Sequence, residues 1–366
     1  MATGFWTTSF LTALAGPDRS VTIPPPTRDF ADETIRQAVR LCRGGTTVRV
    51  ELSNEFGLVP LVIDEIRIGA TPVPRDGVAR WHIPAGATAL SDPVPLAVRA
   101  GAELSISCYV SGRTGPATYL HSAQRTTEIA PGRQTTASRL VGAQPSPSLY
   151  WISRVLVDQP AQGPVIVTIG DSITRGDVTT PDADQRYPDH LQRRLPAGAA
   201  VLNAGLGANR VLRPGLGPSM SQRFERDVLS IAEATHVIIM GGINDIALPD
   251  GLGEPRPTAA EVFDGLHTLA ERAKERGIRP ILGTMTPLGD SRYDDFVAAG
   301  YEAMRRTVND AIASQSDWAV VDFAAAVCEP GGNGRLARTY DSGDGLHPND
   351  AGARALADAI DLDLLR

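Results

Sequence analysis

In the first half of the chain, apolar residues recur mainly at every second position, which is the period of a half-buried β-strand. Two such series are Val48-Val50-Leu52 and Leu104-Ile106-Cys108-Val110. Similar runs cover residues 59–68, 117–121 and 149–157, and clusters of glycine, proline and aspartate separate them. Since no long amphipathic helix interrupts residues 34–157, we expect an antiparallel β-sandwich of the jelly-roll type.

After residue 164 the pattern changes to short apolar strands that alternate with amphipathic helices. The predicted strands are 165–169, 201–202, 237–240, 280–282 and 319–321. The predicted helices are 187–195, 221–233, 259–276, 295–314 and 349–365. This alternation predicts an α/β fold with a mostly parallel sheet, covered on both faces by helices, and functional groups at the carboxyl ends of the strands. Residues 158–164 have linker composition, so we expect one domain over residues 1–160 and a second over 161–366.

Charge and cysteine content narrow the class of protein. The formal net charge is −7 and no run of lysine or arginine forms a phosphate-binding stripe, so we expect no nucleic-acid partner. The three cysteines are Cys42, Cys108 and Cys328, and their spacing suggests neither a disulfide framework nor a metal site. The six histidines show no HExxH spacing, so we expect no metal and no other cofactor.

The amino-terminal residues lack the basic segment of a signal peptide, and no apolar run is long enough for a transmembrane helix. The sequence as written therefore predicts a cytoplasmic protein. A secreted protein whose signal peptide is absent from this numbering is the alternative. Composition leaves the oligomeric state open.

The first predicted strand of the second half ends in Gly170-Asp171-Ser172. A serine at a junction between strand and helix exposes its hydroxyl, and its backbone N–H points toward the same space. Both groups suit acyl transfer, the hydroxyl as nucleophile and the N–H as a donor to an oxyanion. The alternative is that Ser172 only caps the helix and has no catalytic role. Because the chain lacks GxSxG, a nucleophile elbow of the α/β-hydrolase type is excluded.

A candidate general base, His347, lies just before the last predicted helix, in the segment Asp344-Gly-Leu-His347-Pro348. Pro348 keeps His347 out of helical geometry, and the neighbouring glycines let the Asp344 carboxylate reach the imidazole. Such a carboxylate would fix the tautomer of the base. Asp341 is a competing orienter that lies farther along the chain. The alternative is that this segment is a glycine-rich turn in which His347 lies at the surface and has no catalytic role.

Two more loops follow predicted strands and offer hydrogen-bond donors for an oxyanion. The backbone N–H of Gly207 or Ala208 lies among small residues, where a substrate can approach closely. Asn244 would present its side-chain amide to the same oxygen. An Asx turn is the alternative for Asn244-Asp245. The pair Gly205-Leu-Gly207 lacks the third glycine of a dinucleotide-binding fingerprint.

These four loops, with Ser, Gly, Asn and His as their polar centres, resemble those of the SGNH hydrolases, also called the GDSL lipases and esterases. The resemblance covers residues 165–361. It implies a flavodoxin-like three-layer sandwich in which Ser172 is the nucleophile and His347, oriented by Asp344, is the general base. It also implies an oxyanion hole formed by Ser172, Asn244 and the loop of Gly207 and Ala208.

One position departs from the family pattern. The second loop usually has the sequence Asn-Ala-Gly-x-x-Gly-Asn-Arg, and Ala208 stands here in place of the donor glycine. Alanine keeps the N–H but resists a positive φ, so Gly207 or Ala208 is expected to donate. A non-catalytic glycan-binding protein on a degenerate hydrolase scaffold is the alternative function that this departure suggests.

The first half also carries a resemblance. The segment Val48-Arg-Val-Glu-Leu-Ser-Asn-Glu-Phe-Gly57 is similar to the β-rich accessory domain of bacterial members described as arylesterases or carbohydrate esterases. We therefore expect a serine esterase for a small-molecule or glycan ester, with short acyl groups, such as acetyl on carbohydrates, as first candidates. Lipid or lysophospholipid esters are the second candidates. The alternative to sugar binding is that the predicted β-sandwich only forms one wall of the active site.

Overall fold

A computed structural model describes residues 5–17, 26–160, 162–293, 300–332 and 334–366 of the chain. The chain divides into two compact units. One contains most of the chain up to Gly163, together with Ala197–Leu202. The other contains Pro164–Pro196 and Asn203–Arg366.

The first unit is built from antiparallel strands. They are β1 (Thr7–Leu11), β2 (Glu33–Arg40), β3 (Gly45–Ser53), β4 (Leu61–Ile63), β5 (Glu65–Ile68), β6 (Thr71–Pro72), β7 (Trp81–Ile83), β8 (Thr88–Leu90), β9 (Val94–Val98), β10 (Glu103–Val110), β11 (Tyr119–Leu120), β12 (Thr127–Pro131), β13 (Gln144–Ser146), β14 (Leu149–Tyr150) and β15 (Ile152–Val157). One sheet joins β1, β15, β3 and β8 in that order, with β9 also paired to β3, and a second has the order β13-β12-β2-β10-β5-β6. The expected antiparallel β-sandwich is confirmed.

Alternate side chains of β3 and β10 fill the core of this unit. Val48, Val50 and Leu52 are fully buried, as the period of two predicts, and Ile106 and Cys108 lie in the same cluster. Burying a side chain of this size contributes about 1.5–3 kcal/mol. The alternation is therefore the main source of stability of these strands.

The predicted strand 149–157 is interrupted. Trp151 adopts a φ of 60° and lies between β14 and β15, so the run forms two strands. A left-handed residue cannot continue the extended backbone of a strand.

A five-stranded sheet in the order β17-β16-β18-β19-β20 lies in the second unit, apart from residues 200–202 of β17. Its strands are β16 (Val165–Gly170), β17 (Ala200–Gly205), β18 (His236–Met240), β19 (Arg279–Gly283) and β20 (Ala319–Val321). Strand β16 pairs with β18, β18 with β19 and β19 with β20, and each of these pairs is parallel. This is the flavodoxin-like strand order, so the predicted α/β fold and all five of its predicted strands are confirmed.

The second unit also contains the described helices. They are α1 (Ser172–Arg175), α2 (Tyr187–Arg194), α3 (Met220–Phe224), α4 (Ile243–Leu252), α5 (Ala259–Glu275), α6 (Tyr301–Ser314), α7 (Phe323–Val327) and α8 (Asp350–Asp358). A π-helical turn, Glu225–Leu229, continues α3, and a 3₁₀ turn, Leu362–Leu365, follows α8. None of the helices in the described part of the chain combines the length and apolar character that crossing a bilayer requires.

The helix predictions are confirmed for α2 and α5, but two need correction. The helix predicted over 221–233 ends early, because α3 begins at Met220 and its π-helical continuation ends at Leu229. The helix predicted over 349–365 is wrong as one element: α8 ends at Asp358, and Asp361 caps a separate turn by accepting the N–H of Asp363 at 2.9 Å. Part of the helix predicted over 295–314 lies outside the described residues, and its remainder is α6. The unpredicted helix α4 lacks a polar face, since all its residues from Ile243 to Pro249 are buried.

The buried His236 gives the fold a measurable pH dependence. It starts β18, is 1% exposed, and its Nδ1 lies 2.8 Å from Thr235 Oγ1. Burial, reinforced by the positive charge of Arg279, lowers the pKa of His236 to about 4. Because histidine in the unfolded chain titrates near 6.5, the unfolded state binds the proton first, and the contribution of neutral His236 is lost as the pH falls from about 6.5 to 4.

We expect the stability difference between the wild type and His236→Gln to shrink by on the order of 3 kcal/mol between pH 7 and pH 4. Urea denaturation at a series of pH values measures it. The matched control is His82→Gln, the same change at an exposed histidine, which should alter the free energy of unfolding by less than about 0.5 kcal/mol at pH 7. A pH-independent cost of His236→Gln would contradict the prediction.

Candidate active site

Ser172 is the first residue of α1 and follows the end of β16 after one residue. The cap of this helix is Asp171, whose carboxylate accepts the N–H of Ile173 at 3.0 Å. The Ser172 hydroxyl is therefore not used as the cap. Its N–H has no acceptor within α1, because the first residues of a helix lack intrahelical partners. Since α1 is a single turn, this N–H, rather than a helix dipole, is the group that can stabilise an anion.

Three side chains from two loops form a chain of hydrogen bonds. His347 Nε2 lies 2.8 Å from Ser172 Oγ, and His347 Nδ1 lies 2.7 Å from Asp344 Oδ2. The other carboxylate oxygen of Asp344 accepts the backbone N–H groups of Leu346 and His347, at 2.9 and 2.8 Å. Ser172 and His347 are each 7% exposed. This is the geometry in which an imidazole can take a proton from a hydroxyl.

Asp341, the competing orienter, has a different role. Its carboxylate accepts the backbone N–H groups of Gly343 and Gly345, both at 2.9 Å, and so shapes the turn that precedes His347. Gly345 has a φ of 72°, and a Cβ there would lie 2.0 Å from the carbonyl oxygen of Asp290. The turn therefore requires glycine at this position.

Charges around the imidazole favour its protonated form. Burial favours neutral His347, but the hydrogen bond to Asp344 and the carboxylates of Asp177 and Asp171 outweigh burial and raise the pKa of His347. Burial opposes ionisation of Asp344 too, yet hydrogen bonds from His347 and from backbone N–H groups hold its pKa well below the usual range. Asp171 is more strongly buried, which raises its pKa to about 6. The pair of His347 and Asp344 is thus suited to stabilising an imidazolium.

Tyr293 is a site residue that the sequence did not reveal. Its hydroxyl donates to Asp344 Oδ2 at 3.2 Å, and its ring meets the His347 ring edge-on, with the centroids 5.9 Å apart. Burial and the Asp344 carboxylate raise the pKa of Tyr293 to about 12, so the phenol remains a donor at neutral pH. No motif in the sequence marks this tyrosine as part of a site.

A second unpredicted contact links the serine and histidine loops. Thr180, which follows α1, donates its backbone N–H and its hydroxyl to the two carboxylate oxygens of Asp350, at 2.8 and 2.6 Å. Asp350 is the first residue of α8, immediately after the histidine segment, and Asn349 caps that helix by accepting the N–H of Gly352. Asn349 therefore caps α8, and the Asp350 carboxylate is left to bind Thr180.

The loop after β17 carries the two candidate backbone donors. Ala208 has a φ of 51°, in the left-handed region that costs alanine about 1–2 kcal/mol. Gly207 lies against α1, since a Cβ there would be 2.5 Å from the guanidinium nitrogens of Arg175. The N–H groups of Gly207 and Ala208 make no hydrogen bond within the described residues. Both remain candidates for an oxyanion, and which of them donates stays a prediction.

Asn244 lies in the first turn of α4, directly after β18. Its Nδ2 donates to the carbonyl oxygen of Asn209 at 3.0 Å, so the amide is tied to the loop of Ala208. An amide nitrogen carries two hydrogens, and the second can serve an oxyanion. The neighbouring Asp245 accepts the N–H groups of Val211 and Leu212, at 2.7 and 3.0 Å, which joins the same two loops.

These contacts bring all the predicted site residues to the carboxyl edge of one sheet. The arrangement can transfer a proton from Ser172 to His347 and can offer N–H donors to a carbonyl oxygen. Among the described residues, no group of three or more His, Cys, Asp or Glu side chains is placed to hold a metal ion. The chemistry that the described geometry supports is therefore nucleophilic attack by a base-activated hydroxyl.

A family model described as "GDSL-like Lipase/Acylhydrolase family" matches residues 168–355. The uncharacterized lipoprotein YqeF of Bacillus subtilis (strain 168) is 30% identical over 143 residues, which are 38% of this chain and 56% of that protein. The chain thus matches little more than half the length of this relative.

Two solved structures are similar to part of the chain. The aryl esterase of M. smegmatis is 21% identical, with a TM-score of 0.44 and coverage of 54% of this chain and 95% of that one. An acetyl xylan esterase from Geobacillus stearothermophilus is 26% identical, with a TM-score of 0.43 and coverage of 56% and 94%.

The left-handed conformation of Ala208 can be tested by its effect on stability. Ala208→Gly should raise the free energy of unfolding by up to about 1 kcal/mol, because relief of the left-handed strain exceeds the added entropy of the unfolded chain. Ala355→Gly in α8 is the matched control and should cost about 1 kcal/mol, since that position is helical. Thermal unfolding of both variants provides the comparison. Equal destabilisation by the two changes would show that Ala208 is not strained.

Proposed function

The chain belongs to the GDSL-like lipase/acylhydrolase family, and from this premise we propose that it hydrolyses esters through a serine nucleophile, Ser172. His347 is the general base in this proposal, and Asp344 orients it. The observation that carries the proposal is the unbroken hydrogen-bond chain from Ser172 Oγ through the imidazole to the Asp344 carboxylate, with links of 2.8 and 2.7 Å.

In the first half of the proposed reaction, Ser172 Oγ attacks the ester carbonyl carbon while His347 Nε2 accepts the hydroxyl proton. The carbonyl oxygen becomes an oxyanion, and the N–H of Ser172, the N–H of Gly207 or Ala208, and the Asn244 amide donate to it. The imidazolium, stabilised by Asp344, returns the proton to the alcohol oxygen as the C–O bond breaks. The acyl group remains on the serine.

In the second half, water attacks the acyl-enzyme carbonyl and His347 accepts a proton from the water. The resulting oxyanion collapses, the carboxylic acid leaves, and the proton returns to Ser172 Oγ. Each donor of the oxyanion hole contributes about 10²–10³ in kcat in enzymes of known mechanism. The proposal requires no metal or organic cofactor.

For the substrate we propose short-chain acyl esters, with acetyl groups on carbohydrates as the first candidates. The support is the similarity of the segment 48–57 to the accessory domain of carbohydrate and aryl esterases. The alternative of a degenerate, glycan-binding scaffold is disfavoured by the assembled relay and by the N–H that Ala208 retains. A series of nitrophenyl esters of increasing acyl length, run beside acetylated xylan, tests the substrate class. A rate that rises toward long acyl chains would favour a lipase-type substrate instead.

The nucleophile can be tested directly. Ser172→Ala removes the attacking oxygen, so we expect ester turnover to fall by at least about 10⁴-fold while the thermal midpoint stays close to that of the wild type. A fluorophosphonate probe should label the wild type and leave this variant unlabelled, because only an activated serine reacts. Ser314→Ala, a change of an exposed serine at the end of α6, is the control and should react as the wild type does. Turnover that survives Ser172→Ala would reject the assignment.

The charges around His347 predict the pH dependence. His347 acts as a base only when neutral, and its pKa is raised, so kcat/KM should fall with decreasing pH through an apparent pKa above 6.5. Asp177→Asn removes a carboxylate that favours the imidazolium, so this limb should move to lower pH. Asp358→Asn removes the same charge from the surface of α8 and controls for net charge. Equal shifts for both variants, or no shift for Asp177→Asn, would contradict the prediction.

A further inference from the structure

A buried arginine lies beneath the loops of the proposed active site. The side chain of Arg223, on α3, has no exposed surface, and its three nitrogens all donate hydrogen bonds. Nε donates to Asn209 Oδ1 at 2.9 Å, Nη1 to the carbonyl oxygen of Ala204 at 2.7 Å, and Nη2 to the carbonyl oxygen of Gly170 at 2.9 Å. Nη1 also donates to Asp227 at 2.8 Å.

Each of these acceptors lies next to a group of the proposed mechanism. Gly170 ends β16 and lies two residues before Ser172. Ala204 lies near the end of β17, and Asn209 follows Ala208, so the two residues flank the loop of the backbone donors. The Asn209 carbonyl oxygen in turn accepts the amide of Asn244 at 3.0 Å. One guanidinium therefore fixes the spacing between the nucleophile strand and the oxyanion loop.

The planar shape of the guanidinium is needed for this set of contacts. Its nitrogens diverge at fixed angles and reach three acceptors, one at the end of each of two strands and one in a loop, whereas a lysine ammonium is a compact charge on a flexible chain. Burying such a charge costs free energy unless it is paired, and Asp227 supplies the counter-charge. Asp227 lies in the π-helical turn, where the Ser230 N–H donates to the Glu225 carbonyl at 2.8 Å. Turns of this kind occur frequently at functional sites.

We propose that Arg223 is a positioning residue for ester hydrolysis. It acts through Asn209, whose placement sets that of the Asn244 amide. This role rests on the proposed function, because it concerns the donors that bind the oxyanion. Arg223 itself touches neither the nucleophile nor the base through any described hydrogen bond.

The test is a double-mutant cycle between Arg223→Lys and Asn244→Ala. Arg223→Lys keeps a positive charge beside Asp227 but loses the divergent contacts, so the donors should lose alignment with the transition state. We expect kcat to fall by about tenfold to a hundredfold while KM stays within about twofold. In the Asn244→Ala background the same change should cost less than about threefold, because the group that Arg223 places is already absent.

Arg226 offers a matched control on the same helical segment. It also donates to Asp227, with Nε at 2.6 Å from Oδ1, so Arg226→Lys changes a neighbouring ion pair of the same carboxylate. Its kcat should stay within about twofold of the wild type. Should Arg223→Lys fail to fold, Asn209→Ala tests the same link with the buried ion pair intact. It should give the same loss of kcat and the same non-additivity with Asn244→Ala.

The outcomes separate the two proposals. The positioning role would be overturned if Arg223→Lys, or Asn209→Ala, gave a loss of activity that is independent of Asn244 or that appears mainly in KM. In that case an inactive Ser172→Ala would still support the proposed function. Wild-type turnover by Ser172→Ala would reject the function itself. Coupled losses confined to kcat, together with an unaffected Arg226→Lys, support both.

Discussion

Parallel pairing of β16 with β18 determines where the functional groups of the second unit lie. The register places Gly170 opposite Met240, so the two strands end side by side. The loops with Ser172 and Asn244 therefore begin at the same edge of the sheet, and β17, on the other side of β16, adds the loop of Ala208. The hydrogen bonds among these loops refine an arrangement that the backbone pairing has already imposed.

Carboxylates hold these loops mainly through backbone N–H groups. Asp171 accepts from the turn of α1, Asp245 accepts from the loop after β17, and Asp344 accepts from the residues up to His347. A buried carboxylate is costly unless it is hydrogen-bonded, so each of these residues favours one loop conformation over its alternatives. Arg223 serves the same purpose with the opposite charge, since it donates to backbone carbonyl groups of the strands from which two of these loops begin. The site is thus fixed by charged groups that lie beneath it.

Local sequence patterns predicted a mostly parallel α/β sheet and located the six candidate site residues, whereas the flavodoxin-like arrangement was implied by the family resemblance. Alternation of period two predicted β3 and β10, and small and polar residues after each strand marked the loops. The helix α4 escaped prediction because burial on all sides leaves it no polar face. Arg223 and Asp227 are four residues apart, the spacing of an ordinary exposed ion pair, and only the tertiary structure shows that both are buried.

Contacts between distant parts of the chain could not be predicted from the sequence either. Tyr293 and Asp344 are 51 residues apart, and nothing in their local sequence pairs them. The same holds for Ala208, whose left-handed backbone is set by its loop and not by its own preference. The roles of Ser172, His347 and Asp344 in catalysis stay predictions, although their side chains lie within hydrogen-bonding distance of one another.

The contact between Thr180 and Asp350 joins segments 170 residues apart, one after the nucleophile helix and the other after the imidazole. Local opening of either segment breaks this contact and releases the other, so the two should fluctuate as one cooperative unit. Their amide hydrogens should then exchange with solvent at a common rate. On warming below the global transition, the population would divide into fully competent molecules and inert ones, rather than consist of molecules that are all slightly impaired.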